Sequence, residues 1–287
     1  MSTINYSLII PALNEAIGLQ KLLPEVIGIL PHAEIIIVDD GSEDATREVC
    51  GRFPVRLISH PYPKGNGAAI KTGARIASGR ILIFLDADGQ HQPHDIPALL
   101  EKYHQGYDMV VGARNSSGHA NLHRAWANGF YNWLAGTIVG RPVSDLTSGF
   151  RVVDADKFRR YLHLLPNSFS YPTTITMCFF RAGLSVGYQP VSMKKREGRS
   201  HIRPLRDGMR FLLIIFKIGT LYSPLKLFLP ISLSLFLAGT GHYLWSFTGT
   251  PRFSNMSALL LSTSLLIFLI GLVSEQITML IYKDSEH

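Results

Sequence analysis

The sequence predicts an α/β domain built on a mostly parallel sheet with helices on both faces, followed by a C-terminal hairpin of two transmembrane helices. Three observations predict it. Short apolar runs alternate with helix-length stretches over residues 1 to about 112. Two long, almost uncharged apolar segments lie in the last quarter of the chain. A cluster of basic residues stands between these regions.

The apolar runs Ser7–Ile10, Ile35–Val38, Arg56–Ser59, Ile81–Leu85 and Met109–Val111 read as buried strands. Helical stretches separate them at Ile17–Leu30, Asp44–Phe53, Gly67–Ser78 and Pro93–Gln105. Ser42 is placed to cap the second of these helices. A βαβα order of this kind implies parallel strands covered on both faces. Ligands of such sheets bind beyond the carboxyl ends of the strands. The chain carries no repeats and no low-complexity tracts.

Asp207 to Tyr222 reads as an amphipathic helix with Asp207, Arg210 and Lys217 near one face. Periodicity alone leaves two places for it, the membrane interface or an ordinary core. Leu227–Leu244 and Met256–Ser274 then approach the about 20 residues that a bilayer core requires. The link Trp245–Asn255 is short and rich in Gly, Pro and Thr, so the two segments form a hairpin.

The 287 residues are 46% hydrophobic and 17% charged, the balance of a folded chain rather than a disordered one. Mean hydropathy is +0.15, high for a soluble enzyme, and the excess comes from the last quarter. The net charge of +7 suits an anionic membrane, phosphorylated ligands or nucleic acid. Its distribution favours the first two. Lys194, Lys195, Arg196, Arg199, Arg203, Arg206 and Arg210 immediately precede the first long apolar segment. The competing reading of this run is a solvated loop that only sets topology. The loop between the apolar segments holds only Arg252, so the positive-inside rule puts the large domain and the tail in the cytoplasm. Two cysteines, Cys50 and Cys178, imply no disulfide framework and fit a reducing compartment. The N-terminal residues lack the pattern of a cleaved leader.

Polar residues follow successive strands. Pro11-Ala12-Leu13-Asn14-Glu15 follows the first, Asp39-Asp40-Gly41-Ser42 the second and Asp86-Ala87-Asp88-Gly89-Gln90-His91 the fourth. In a parallel sheet all three meet along one edge. Acidic pairs are commonly turn or capping residues, but three at matching strand ends point to a site. Asp86 and Asp88 emerge where a buried strand stops, and two close carboxylates call for a cation or a proton. Hard oxygen ligands suit Mg2+ or Mn2+, which would bridge a diphosphate and stabilise it as a leaving group. Gln90 adds or orients a ligand. His91 and His94 raise a zinc site as the rival, which the lack of Cys and of an HExxH pattern disfavours. Lys64-Gly65-Asn66-Gly67 opens the third helix, either as an anion cradle or as a tight turn. Ile70 stands where a P-loop needs its second glycine, which excludes that motif.

In order along the chain, PALNE, IVDDGSEDAT, KGNGAAIKTG, DADGQHQP, GAR and SDLTSGF resemble the GT-A fold, family 2 glycosyltransferases over about Tyr6 to Ile202. Within that family the pattern is similar to the dolichol-phosphate mannose synthase and polyprenyl-phosphate glycosyltransferase group. The resemblance implies a nucleotide-diphosphate sugar donor held by Pro11, Ala12 and Glu15, by Val38 and Asp40, and by Asp86, Ala87 and Asp88, with Lys195 and Arg196 on its phosphates. It implies a metal, Mg2+ or Mn2+, at Asp86, Asp88 and Gln90. Arg114 then contacts donor phosphate or acceptor, and Arg124, Ser148, Arg199 and His201 meet the acceptor phosphate. Asp145, Ser148 and Gly149 lie in the acceptor-side motif. His201 replaces a lysine usual in the late basic segment.

The implied organisation is a cytoplasmic catalytic domain over 1–206, a juxtamembrane helix over 207–222, and two spans at about 225–245 and 256–280 with a short tail. The implied protein is a multi-pass membrane enzyme with both termini cytoplasmic, no nucleic-acid partner and an open oligomeric state. It transfers a mannose- or glucose-type hexose with inversion to undecaprenyl or dolichyl phosphate, with Asp88, Asp145 and Arg114 as the catalytic set. An acceptor phosphate is already largely a dianion at neutral pH, so Asp145 is expected to position rather than to take a proton. Two rival functions stand beside this one. One is an enzyme of the same fold acting on a lipid or polysaccharide hydroxyl, and the other is an inactive membrane scaffold that binds nucleotide sugar.

Overall fold

In the computed structural model, residues 5–114, 139–168, 170–192, 222–249 and 254–283 are described, with single positions between them. The chain divides into two units, Met1–Ile202 and Arg203–His287.

The first unit is built on a seven-stranded sheet. Its strands are β1 (Tyr6–Ala12), β2 (Glu34–Asp39), β3 (Arg56–Ser59), β4 (Ile81–Phe84), β5 (Met109–Arg114), β6 (Arg151–Asp154) and β7 (Val186–Val191), in the order β3-β2-β1-β4-β6-β5-β7. β1 to β4 are parallel, as the alternating pattern predicts. β6 runs antiparallel to both β4 and β5, while β7 is parallel to β5 at the edge.

Side chains leave β1 on alternate faces. Leu8 and Ile10 join a core with Leu19, Leu22, Leu23 and Val26 of α1 (Ala16–Ile29), Val49 of α2 (Thr46–Cys50) and Leu99 of α4 (Ile96–His104). Ile9 points the other way, toward α3 (Asn66–Ile76). A Cβ at Gly73 of α3 would lie 2.4 Å from an Ile9 methyl, so glycine lets this helix settle on the sheet. On the same face Phe84 stacks on Phe158 of α5 (Ala155–Arg160), ring centroids 4.8 Å apart. α6 (Tyr171–Arg181) follows and is buried along most of its length.

Three details depart from the sequence expectations. α2 is shorter than Asp44–Phe53, because Asp44 rather than Ser42 bonds the Thr46 amide at its start. Ser42 instead accepts from the Asn14 amide across the sheet edge. β6 and β7 were not predicted. β6 is four residues long and contains a charged Arg151, while β7 contains Gly187 and Pro190, tolerated because it is an edge strand.

The second unit is an antiparallel pair, α7 (Pro224–Gly249) and α8 (Asn255–Lys283). Ser257, Ser264 and Thr278 of α8 are buried, and with Gly271 they recur every seven residues. A seven-residue seam is the geometry of two helices wound gently about each other. The Ser232 hydroxyl donates to the Ser264 carbonyl at 3.0 Å, and the Ser264 hydroxyl donates to the Ser232 carbonyl at 2.8 Å. Leu259, Leu266, Val273 and Leu280 recur on an exposed line of α8. Each helix is long and apolar enough to cross a membrane, as the hairpin expectation required. Most of the expected amphipathic helix at 207–222 lies outside the described residues.

Candidate active site

The carboxyl ends of β1, β2 and β4 lie side by side, and their loops are tied together. Ala12 is in register with Asp39, and the Asp40 amide donates to the Ala12 carbonyl at 2.8 Å. Asn14 takes a left-handed φ of 57°, a conformation asparagine tolerates, and its side chain accepts from the Glu43 amide at 2.9 Å. The Glu15 amide bonds the Thr46 hydroxyl at 3.0 Å. Glu15 opens α1 close to β4: a Cβ at Gly18 would lie 2.4 Å from the Ala87 carbonyl and 3.2 Å from the Glu15 carboxylate.

The two aspartates at the end of β2, Asp39 and Asp40, are occupied. Asp39 is fully buried, with the Arg47 guanidinium at 2.6 Å and the Ser42 amide at 2.8 Å. Burial pushes its pKa up, but the bonds from Ser42 and Arg47 outweigh that and hold it below the usual carboxylate range. Asp40 accepts from His60 Nδ1 at 2.7 Å, from the Lys64 amide at 2.9 Å and from the Gly65 amide at 2.7 Å. His60 Nε2 in turn meets the Thr72 hydroxyl at 3.0 Å. Asp40 thus acts first on its own chain, anchoring the loop that opens α3.

Asp86 and Asp88 follow β4. Lost hydration pushes the Asp86 pKa up to about 6, and Asp88 and Glu15 add to the rise; the Asn66 side-chain hydrogen bond and the Arg151 charge oppose it. A carboxylate so placed gains from a nearby cation. Among the described residues, no group of three His, Cys, Asp or Glu side chains gathers as zinc would require. Two hard carboxylates fit a cation that fills its remaining positions with water and phosphate oxygens, as Mg2+ does. Gln90 stays close, its amide bonding Asp88 at 3.1 Å. His91 is buried against Phe150, ring centroids 5.1 Å apart, and burial pushes its pKa down to about 4, which leaves it neutral at physiological pH.

The 145–149 loop comes up against these groups from beside β5 and β6. Arg114 at the end of β5 grips Asp145 at two points, Nε to Oδ2 at 2.7 Å and Nη2 to Oδ1 at 2.9 Å. Asp145 also accepts from the Thr147 amide at 3.0 Å and the Ser148 amide at 3.1 Å. Burial raises its pKa, but the Arg114 bonds and these amides outweigh it and hold the carboxyl below its usual range. A Cβ at Gly149 would lie 2.8 Å from Asp86 Oδ2, so only glycine lets the 145–149 loop approach the strand end this closely. Pro11, Ala12, Glu15, Val38, Asp86, Ala87 and Asp88 therefore lie at or next to the ends of β1, β2 and β4 on one edge, with Arg114, Asp145 and Ser148 alongside. Arg124, Lys195, Arg196, Arg199 and His201 lie outside the described residues.

Residues 7–165 match the family described as Glycosyl transferase family 2. The chain belongs to that family. Residues 223–280 match the GtrB C-terminal hairpin, in line with the two long apolar helices, and together they support association with a membrane. The family 2 chain is 36% identical over 118 residues to a dolichol-phosphate mannosyltransferase of Pyrococcus furiosus, covering 39% of this chain and 34% of that one. It is 28% identical over 204 residues to an undecaprenyl-phosphate mannosyltransferase of Micrococcus luteus, covering 66% of this chain and 83% of that one. The chain spans 34%, 66% and 55% of the length of the first three curated relatives it matches. A glucosyl-3-phosphoglycerate synthase of Mycobacterium tuberculosis, solved with Mn2+, uridine diphosphate and glucosyl-3-phosphoglycerate, superposes with a TM-score of 0.60 at 19% identity, covering 75% of this chain and 80% of that one. This likeness is one of fold, and it agrees with the GT-A arrangement the motifs implied.

Sequence reasoning named Asn66 only within the loop that opens α3, and it missed His60 and Arg151 as parts of this edge. Arg151 is fully buried on β6 and donates to the Ser148 carbonyl at 2.5 Å, the Pro172 carbonyl at 3.1 Å and the Thr176 hydroxyl at 3.2 Å. Its signal was a lone charge inside an apolar run, directly after the SDLTSGF motif.

Proposed function

We propose that this chain is an inverting glycosyltransferase that moves a mannose- or glucose-type hexose from a nucleotide-diphosphate sugar to a polyprenyl phosphate, undecaprenyl or dolichyl, at the cytoplasmic face of a membrane. The observation that carries the reading is the state of Asp145. A hydroxyl acceptor needs a base to remove its proton. The carboxylate in the acceptor-side motif has its oxygens filled by the Arg114 side chain and three backbone amides, those of Arg114, Thr147 and Ser148, and its pKa is held low. A phosphate monoester needs no such base, because its second pKa is about 6. The names of the Pyrococcus and Micrococcus relatives, which carry dolichol and undecaprenyl phosphate, support the same acceptor class.

In the reaction an acceptor phosphate oxygen forms a bond to the anomeric carbon as the bond from that carbon to the donor diphosphate breaks, which inverts the centre. A divalent cation, Mg2+ or Mn2+, held at Asp86 and Asp88 beside Gln90, would offset the negative charge that builds on the departing diphosphate. Pro11, Ala12, Glu15 and Val38 line the donor end, and Asp40 serves it by fixing the 64–67 loop. Asp145 holds Arg114 in one orientation toward the phosphates, while Gly149 allows the acceptor loop to meet Asp86. Ser148, with Arg124, Lys195, Arg196, Arg199 and His201, completes the phosphate contacts. The basic cluster before the first span supports a cytoplasmic side for the catalytic unit and both termini. Anchoring it there confines the search for a lipid headgroup to two dimensions.

The test is incubation of membranes containing the protein with a panel of radiolabelled nucleotide sugars and added polyprenyl phosphate, with and without Mg2+. Label in a lipid-phosphate product from one donor is expected, only with metal. Label in a hydroxyl-linked lipid or polysaccharide favours the rival acceptor class, and no transfer from any donor favours the scaffold.

A further inference from the structure

Asn132 belongs to a helical stretch in which residues 132, 133, 135–137 and 139 are described. Gly140 takes a left-handed φ of 72°, and its amide and that of Arg141 bond the Gly136 carbonyl at 2.8 and 3.2 Å. A glycine in this conformation ends a helix and turns the chain away. Asn132 and Gly136 are four residues apart, so they share one face of the helix. A Cβ at Gly136 would lie 3.1 Å from the Arg141 carbonyl oxygen, so the returning chain lies close against that face.

The returning chain meets Asn132 at two points. Asn132 Nδ2 donates to the Ser144 carbonyl at 2.8 Å, and Asn132 Oδ1 accepts from the Leu146 amide at 3.2 Å. The Ser144 carbonyl can only accept and the Leu146 amide can only donate, so a planar carboxamide matches the pair, and neither a carboxylate nor an apolar side chain does. These two bonds stand on either side of Asp145. Leu146 is fully buried, and its carbonyl also accepts from the Thr173 hydroxyl of α6 at 3.4 Å. With the backbone held before and after it, the Asp145 carboxylate receives the Arg114 side chain at 2.7 and 2.9 Å. Farther along the same loop, Gly149 makes its close approach to Asp86.

We infer that Asn132 is a positioning residue for transfer: its side-chain amide clasps the backbone on both sides of Asp145 and so sets the Arg114–Asp145 pair toward the phosphates. This rests on the reading of Arg114 and the 145–149 loop as the acceptor side of a polyprenyl-phosphate transferase. Asn132 itself touches no reacting group. It acts through Asp145, thirteen positions later in the chain.

The test takes two readouts from the full-length protein in detergent. The first is amide hydrogen exchange in peptides spanning 144–149, which needs no substrate. Asn132→Asp keeps the side-chain size but turns an acceptor toward the Ser144 carbonyl, and Asn132→Leu removes both bonds. Each variant is expected to speed exchange of the Leu146 amide region about tenfold, with exchange in β1, β2 and β4 unchanged. The second readout is transfer of labelled sugar to undecaprenyl or dolichyl phosphate. Loss of alignment is expected to lower kcat about tenfold with KM for the donor unchanged. In an Asp145→Asn background the same substitutions are expected to cost about threefold or less, because residues that act through one contact are not additive. Unchanged exchange in both variants overturns the clasp. A loss of kcat as large on Asp145→Asn as on wild type, or a donor KM that rises with it, gives Asn132 a merely structural role and overturns the inference. Absence of transfer by wild type to either lipid phosphate overturns the functional reading itself, and the exchange data tell that failure apart from failure of the clasp.

Discussion

Arg114 and Asp145 form a two-point ion pair, Nε to Oδ2 at 2.7 Å and Nη2 to Oδ1 at 2.9 Å, at the end of β5. The planar fork of an arginine matches a carboxylate in this way, and a lysine does not. The pair brings together residues 31 positions apart and sets the direction of Arg114 at the site. It also defines what Asp145 does. A general base contributes about 10²–10⁴-fold to a rate. A carboxylate that only holds Arg114 contributes less, so Asp145→Asn is expected to lower kcat by less than about 100-fold. Transfer of labelled sugar to polyprenyl phosphate measures this, and complete loss of transfer would return Asp145 to the role of base.

The same pair shapes the response to acid. The folded pKa of Asp145 is depressed. Its contribution to stability is therefore fully present above the unfolded value of about 3.9 and is lost as pH falls through the lower folded value. Thermal melts from pH 7 down to pH 3 should show wild type losing more stability than Asp145→Asn across the acid end. Parallel curves would mean that the pair adds nothing to folding.

Asp86 has the opposite sign. Its pKa in the metal-free protein is raised to about 6. The stability linked to it is present below the unfolded value of about 3.9 and is lost as pH rises through about 6. At neutral pH the metal-free enzyme therefore carries an unfavourable charge where the proposed cation site calls for one. Asp86→Asn is expected to melt at a higher temperature than wild type at pH 7.5 in EDTA while losing transfer activity. A lower melting temperature for the variant would contradict the assignment of strain to that carboxylate.

Gly149 lies where a methyl group would sit 2.8 Å from Asp86 Oδ2. Gly149→Ala must displace either the loop or the carboxylate. A misplacement of about 1 Å costs about 10²-fold in rate, so kcat is expected to fall by about 10–100-fold with little change in the melting temperature. Normal turnover would show that the loop moves freely and that the contact has no catalytic value.

Much of this fold was legible because each of the first strands is an apolar run that stops at turn-forming or acidic residues. β3 occupies Arg56–Ser59, as the sequence predicts, and β4 stops one residue short of the expected Leu85. β6 and β7 were not legible. Arg151 is stable inside β6 only because Ser148, Pro172 and Thr176 supply acceptors, and Pro172 and Thr176 belong to a helix some twenty residues later. The site divided in the same way. Asp86 and Asp88 announced themselves as charges at the end of an apolar strand. His60 carries no such local mark, since its meaning lies in a contact with Asp40 that only the folded sheet edge creates.

The hairpin makes a further test of packing. A Cβ at Gly271 would lie 2.8 Å from the Phe228 Cβ, whereas the reciprocal Ser232–Ser264 bonds are interhelical hydrogen bonds of a kind that averages about 0.6 kcal/mol within membranes. Gly271→Leu is therefore expected to destabilise the detergent-solubilised protein more than Ser232→Ala, as read by thermal melting. The reverse order would show that polar contacts rather than close approach hold the two helices.

The most direct test of the central claim, that Asp86 and Asp88 form the cation-dependent centre of transfer, is turnover by Asp88→Ala with the accepted donor and polyprenyl phosphate at saturating Mn2+. The account expects no labelled lipid above background from that variant, and residual product from Asp145→Asn in the same assay. Wild-type turnover by Asp88→Ala would contradict it outright.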